Sequence, residues 1–240
     1  MTGVTANILN AYYFLCHNYN FKESKDEIIL VGFSRGAFTV RCLASFISDV
    51  GLLRRKALPF LQTMFELWKE KDASIKDKIT LFKQMDMLRD VRIKVCAEWD
   101  AVSALWSQEL SFVQDTVPEK VDHAFHAIAL HEERSDFQPV LWRSCPGSTN
   151  VKQCLFVGCH SDVGGGNVDP ALATVSLLWM ISQVMSVCKA KFDRRILLNL
   201  FGPKVTQERK WGILGPYMAQ RFQNGKMECH SLSKGNHCIS

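Results

Sequence analysis

The 240-residue chain carries little net charge of either sign. Lysine and arginine number 29 and the acidic residues 24, a formal balance of +5. The basic residues are scattered, apart from Arg54-Arg55-Lys56 and Arg194-Arg195, which read as solvated helix ends. No nucleic-acid footprint is therefore expected. Cys-x-x-Cys pairs are absent, although nine cysteines are present, an odd number. Cys16, Cys96, Cys154 and Cys159 lie inside apolar runs, which fits buried thiols in a reducing compartment better than a disulfide framework. Cys229-His230 and His237-Cys238 have zinc-ligand chemistry, but they sit in a Ser/Lys/Gly/Asn-rich tail, and no metal is expected there. No basic region followed by an apolar stretch opens the sequence, so a secretory leader is not predicted and a cytoplasmic location is. The most apolar segment, 171–188, is short for a membrane span and is interrupted by Thr174, Ser176, Ser182 and Gln183. Gly164-Gly165-Gly166 lacks the Lys-Ser/Thr of a phosphate loop, and no G-x-G-x-x-G follows a strand, so no nucleotide cofactor is expected. Internal repeats and low-complexity tracts are also absent.

What the chain does have is 47% hydrophobic residues, enough for one sizeable core. Residues 5–19 show helical spacing through Ile8, Leu9, Tyr12, Tyr13, Leu15 and Cys16. Ile28 to Val31 read as a strand, and Ala37 onward as a helix that Gly51 stops. Residues 91–97, 123–130 and 153–158 read as further strands, and 171–188 as a helix buried against them. Strands alternating with helices predict an α/β fold, a mostly parallel sheet covered on both faces. Residues 54–90 are charged and amphipathic, with one stripe of Leu61, Met64, Phe65 and Trp68 and another of Ile79, Phe82, Met85 and Leu88. They form either a helical cap over the pocket or an ordinary helical crossover. The expected organisation is a domain over 1–190, with 54–90 as a helical insertion, and a poorly defined extension over 191–240.

Between the first strand and the helix after it stands Gly32-Phe33-Ser34-Arg35-Gly36. Strand, G-x-S-x-G, helix is the context of a nucleophile elbow. The sharp turn exposes the Ser34 hydroxyl, Gly32 and Gly36 leave room for it, and the Arg35 N–H points where an oxyanion would form. Serine needs a base to take its proton, and the base needs a carboxylate to orient it. In α/β-hydrolase order, acid and then histidine follow the serine on loops past strand carboxyl ends. Asp100 ends the strand 91–97 and His160 ends the strand 153–158, so the order Ser34, Asp100, His160 fits. Asp162 is the alternative acid, or else it ties down the glycine-rich loop. His123, His126 and His131 are rival bases, of which His126 and His131 read as structural histidines. His17 sits in a helix, and Asp49 reads as a helix-end contact.

Four blocks then carry a resemblance: Gly32 to Thr39 with Arg41, Trp99-Asp100-Ala101-Val102, Phe137-Gln138-Pro139-Val140-Leu141-Trp142, and Gly158 to Gly166. Over roughly residues 3–187 the chain resembles the α/β-hydrolase family typified by type VI secretion phospholipase effectors, which is also widespread in fungi as uncharacterised proteins. The resemblance implies an α/β-hydrolase core and ester hydrolysis, with a lipid or small ester as substrate and a transient contact with a membrane surface. It maps nucleophile, acid and base onto Ser34, Asp100 and His160. Family members usually carry an Asp-Gly-Thr-type strand ahead of the first helix, and this chain shows none. That implies an unpaired sheet edge and a missing oxyanion donor. The competing expectation is therefore an inactive hydrolase-fold protein that binds without cutting.

Overall fold

A computed structural model describes residues 3–21, 26–102, 110, 113, 115–143, 149–193 and 195–197. Helix α1 (Gly3–Asn18) precedes strand β1 (Ile28–Phe33), and α2 (Arg35–Val50) follows it after a single residue, Ser34. The short strand β2 (Leu52–Leu53), a 3-10 turn (Arg55–Phe60), α3 (Leu61–Lys69), α4 (Ile75–Gln84) and β3 (Leu88–Arg89) come next. Then come β4 (Ile93–Trp99), β5 (Val121–Ala129), β6 (Asn150–Phe156), α5 (His160–Gly164) and α6 (Ala171–Val187). The main sheet has the order β1-β4-β5-β6, and all its pairs are parallel.

Alternation along the strands sends successive side chains to opposite faces, and two cores result. On one face Ile28, Leu30, Cys96 and Ala124 pack under α2, with Leu43, Phe46 and Ile47. Helix α1 packs on the outside of α2 through Ile8, Tyr12 and Cys16, and the Tyr12 hydroxyl donates to the Gly51 carbonyl at 2.9 Å. On the other face Val95, Ala97, Phe125, Ala127 and Phe156 meet Val163, Trp179, Met180 and Val184. Helix α6, 17 residues long, thus lies against the sheet as expected from 171–188. Among the described residues no helix is long and apolar enough to cross a membrane. The six described cysteines are free thiols, and burial pushes the Cys16 thiol up to about 12. Cys229, His230, His237 and Cys238 lie outside the described residues.

Two features go beyond what the sequence reading gave. Residues 54–90 form α3, α4 and a 3-10 turn, closed by the antiparallel pair β2–β3 that sequence periodicity did not predict. They gather at the carboxyl end of α2, where the Trp68 indole donates to Asp49 at 2.8 Å and packs on Phe46. Sixteen residues at 1.5 Å each put that end about 24 Å along the helix from Ser34. Residues 54–90 form the connection from α2 to β4. Second, residues 160–164 are helix α5, not loop. Cys159 and Asp162 cap its first turn reciprocally.

Candidate active site

Ser34 occupies the single-residue hinge between β1 and α2, with φ 56° and ψ −119°. A non-glycine residue there is strained and is held only because the surroundings over-determine it. The Ser34 N–H donates to the Trp99 carbonyl at 3.0 Å, tying the hinge to the end of β4. A β-carbon on Gly32 would stand 2.4 Å from the Gly36 carbonyl oxygen, so only glycine lets the turn close. Arg35 is the first residue of α2, where backbone N–H groups have no intrahelical acceptor.

Asp100 follows β4 directly and also has a positive φ, 44°. Its backbone N–H donates to the Ala127 carbonyl, and its Oδ1 accepts from the Ala129 N–H, both at 2.8 Å. These two bonds fasten the carboxylate to β5 and leave Oδ2 for His160. The side chain is fully buried. His160, first residue of α5, donates from Nδ1 to Asp100 Oδ2 at 2.7 Å. Its Nε2 lies 2.8 Å from Ser34 Oγ and accepts the hydroxyl proton. A carboxylate can only accept, so the pairing fixes the Nδ1–H tautomer and leaves Nε2 basic toward serine.

The imidazole is flanked by aromatic rings. Phe33 tilts against it with centroids 4.6 Å apart, and Phe137 meets it edge-on at 5.0 Å. Phe33 fits because residue 164 is glycine: a β-carbon there would lie 1.9 Å from the phenyl ring. Beside Phe33 an apolar groove of about 460 Å³ runs between β1 and α6, lined by Val31, Trp99, Pro170, Ala173 and Leu177.

The rival residues have other partners. Asp162 Oδ2 accepts the Cys159 N–H at 2.9 Å and Oδ1 accepts from Asn167, so it secures the turn ahead of α5 instead of orienting His160. Those hydrogen bonds hold its carboxyl below the usual range. His126 is fully buried and accepts the Ala101 N–H on Nε2 at 3.2 Å; burial, helped by Arg41, pushes it well below the usual imidazole value. His131 accepts the Gly158 N–H on Nδ1 at 3.2 Å, and His123 stands on β5, half-exposed and stacked toward Phe125. His17 bonds its own helix at Tyr13.

Sequence reasoning missed what holds this arrangement. Arg41 is completely buried in α2, bonds Glu98 through Nε at 2.8 Å and lies 3.8 Å over the Trp142 ring. Its signal was present: a charge on the apolar face of one predicted helix and another directly after a predicted apolar strand demand each other.

A parallel α/β sheet thus sets serine, histidine and aspartate in one hydrogen-bonded line past its strand ends. The model of the T6SS phospholipase effector Tle1-like catalytic domain matches residues 1–183, and the chain belongs to that family. It is also similar to the uncharacterized protein YEL023C of Saccharomyces cerevisiae, 27% identical over 150 residues, which cover 58% of this chain and 22% of that protein. The chain thus spans about a fifth of the length of this relative.

Proposed function

We propose that this chain is a serine hydrolase of the α/β-hydrolase type that cleaves carboxylic esters, phospholipids among them, through an acyl-enzyme. The observation that carries the reading is the line Asp100–His160–Ser34, with 2.7 and 2.8 Å links at the carboxyl ends of parallel strands. Ser34 Oγ attacks the ester carbonyl while His160 Nε2 takes its proton. The Arg35 N–H, at the amino end of α2, donates to the oxygen that becomes negative. His160 returns the proton to the departing alkoxide, which leaves as an alcohol, and the acyl group stays on Ser34. Water then attacks, giving its proton to Nε2; the acyl–Oγ bond breaks as Nε2 returns that proton to Ser34 Oγ, and the carboxylic acid departs. Asp100 keeps the tautomer and stabilises the imidazolium formed at each step. The choice of lipid esters over other esters rests on family membership and on the apolar groove beside Phe33.

A fluorophosphonate probe and a short-chain p-nitrophenyl ester, each with Ser34→Ala alongside, test this reading. Labelling and turnover are expected in the native chain, with turnover falling by roughly 10⁴-fold or more in the variant. Silence from a folded, monodisperse native sample would sink hydrolysis and leave the reading of a fold that binds without cutting.

A further inference from the structure

The block Phe137 to Trp142 and the residues just before it have no place in the proton-transfer line, yet they close around it. Glu132 has a nearly buried side chain. Its Oε2 accepts the backbone N–H of His160 at 3.2 Å, and its two oxygens take both arms of the Arg134 guanidinium at 2.7 and 2.8 Å. That guanidinium lies 3.7 Å over the Phe137 ring, and Phe137 is the ring that meets the His160 imidazole edge-on. The far end of the segment is anchored separately. Pro139 bridges Val102, the Val140 N–H donates to the Ala101 carbonyl at 2.8 Å, and Arg41 donates to the Val140 carbonyl at 2.7 Å. Gln153 then bonds both the N–H and the carbonyl of Trp142, at 2.8 and 2.9 Å.

An imidazole held only by Asp100 still has freedom to swing about its side-chain torsions. Phe33 blocks one side of that swing. Phe137 meets the ring on another side, and Phe137 is kept in place by Arg134, which is fixed in turn by Glu132. We propose that residues 132–142 are a positioning strap for His160, in which Arg134 and Phe137 hold the imidazole in the plane shared by Asp100 and Ser34. The strap acts through His160 and touches no reacting atom. Its catalytic meaning rests on the hydrolase reading above, but its structural claim does not.

The test therefore has one readout that needs no activity. In protein labelled with 15N-histidine, the ring nitrogens of His160 should report one Nδ1–H tautomer in the native chain. Phe137→Ala and Arg134→Ala should show averaging between tautomers, in samples whose amide spectra remain dispersed and native-like. Phe137→Tyr should restore the single tautomer, whereas Arg134→Lys should not, because an ammonium cannot span Glu132 with two arms or stack on a ring as a plane. In an ester assay the two alanine variants should lose about 10- to 100-fold in kcat with KM within about threefold, the cost of a misplaced base. An unchanged single tautomer, or unchanged kcat, in folded Phe137→Ala and Arg134→Ala would overturn the strap. Loss of activity in Ser34→Ala with no effect of the strap variants would leave hydrolysis standing and remove this proposal alone. A tautomer change in a chain without turnover would do the reverse.

Discussion

A methyl group at position 32 would stand 2.4 Å from the Gly36 carbonyl oxygen, whereas one at position 36 would meet nothing within 4 Å. The two glycines of Gly-Phe-Ser-Arg-Gly therefore do different work. Gly32 permits the close approach that lets β1 turn into α2, and Gly36 fills a helix position that alanine suits better. Gly32→Ala should destabilise by about 1–3 kcal/mol, because the obstacle is backbone and cannot step aside. Gly36→Ala should be neutral or stabilising by up to about 1 kcal/mol. Urea unfolding of the two variants checks the contrast, and equal losses would refute it. The pattern G-x-S-x-G announces the elbow, but not which glycine the turn depends on. That depends on where each α-carbon hydrogen points, which is a matter of three-dimensional placement.

At the scale of elements, α2 carries the site at one end and a buried charge in its middle. Arg41 and Glu98 are both inaccessible to solvent and bonded at 2.8 and 2.7 Å. Burial drives the Glu98 carboxyl upward and Arg41 opposes it. Removing the cation alone leaves a carboxyl stranded between helix and sheet. Arg41→Met should therefore cost about 3–5 kcal/mol, while Arg41→Met combined with Glu98→Gln should recover much of that loss. Guanidinium unfolding of the three proteins decides it; a double variant no better than the single one would mean that the contacts of Arg41 to Val140 and Trp142 dominate. The long elements were legible because periodicity needs several turns or alternations to show itself. Helices α1, α2 and α6 and strands β1, β4, β5 and β6 all supplied that. The two-residue strands β2 and β3 have no period to read, and α5 is five residues ending in glycine. The stripes of α3 and α4 said that 54–90 has a partner, yet an amphipathic face does not name it. The structure seats those helices at the carboxyl end of α2, through contacts such as Trp68 with Asp49 and Phe46.

For the whole molecule, stability is tied to pH through groups buried between helix and sheet. His126 is neutral in the folded chain, since burial pushes its value down. On unfolding it regains an ordinary imidazole value near 6.5 and binds a proton. A folded value depressed for a base means that stability is whole above about pH 6.5 and declines as pH falls below it. His126→Gln, whose side-chain carbonyl can still accept the Ala101 N–H, should flatten the slope of stability between about pH 6.5 and 5. Thermal melts of both proteins across that range test it, and parallel curves would rule His126 out. Glu132 acts in the same sense, at lower pH. Its bonds to Arg134 first, and then to backbone, hold its carboxyl to about 2. The hold on His160 is therefore complete above the ordinary carboxylate range and is lost only as pH falls through about 2.

The order of strands and helices, the burial of α6, and the succession Ser34, Asp100, His160 were determined by the sequence alone. Each is written in local patterns: a period of two or of nearly four, a turn that only glycine permits, a polar residue at a strand's end. The bond from His160 to Asp100, the turn contacts of Asp162, the rings about His160, the strap of 132–142 and the seat of α3 and α4 are visible only in the tertiary structure. Asp100 and Ser34 lie 60 and 126 residues from His160 along the chain. Their meeting depends on the register of β1 on β4 and of β4 on β5, which aligns Phe33 with Trp99 and Trp99 with Ala127. A local pattern says which face a residue takes. Which distant residue it faces is fixed only when the strands pair and both faces of the sheet are covered.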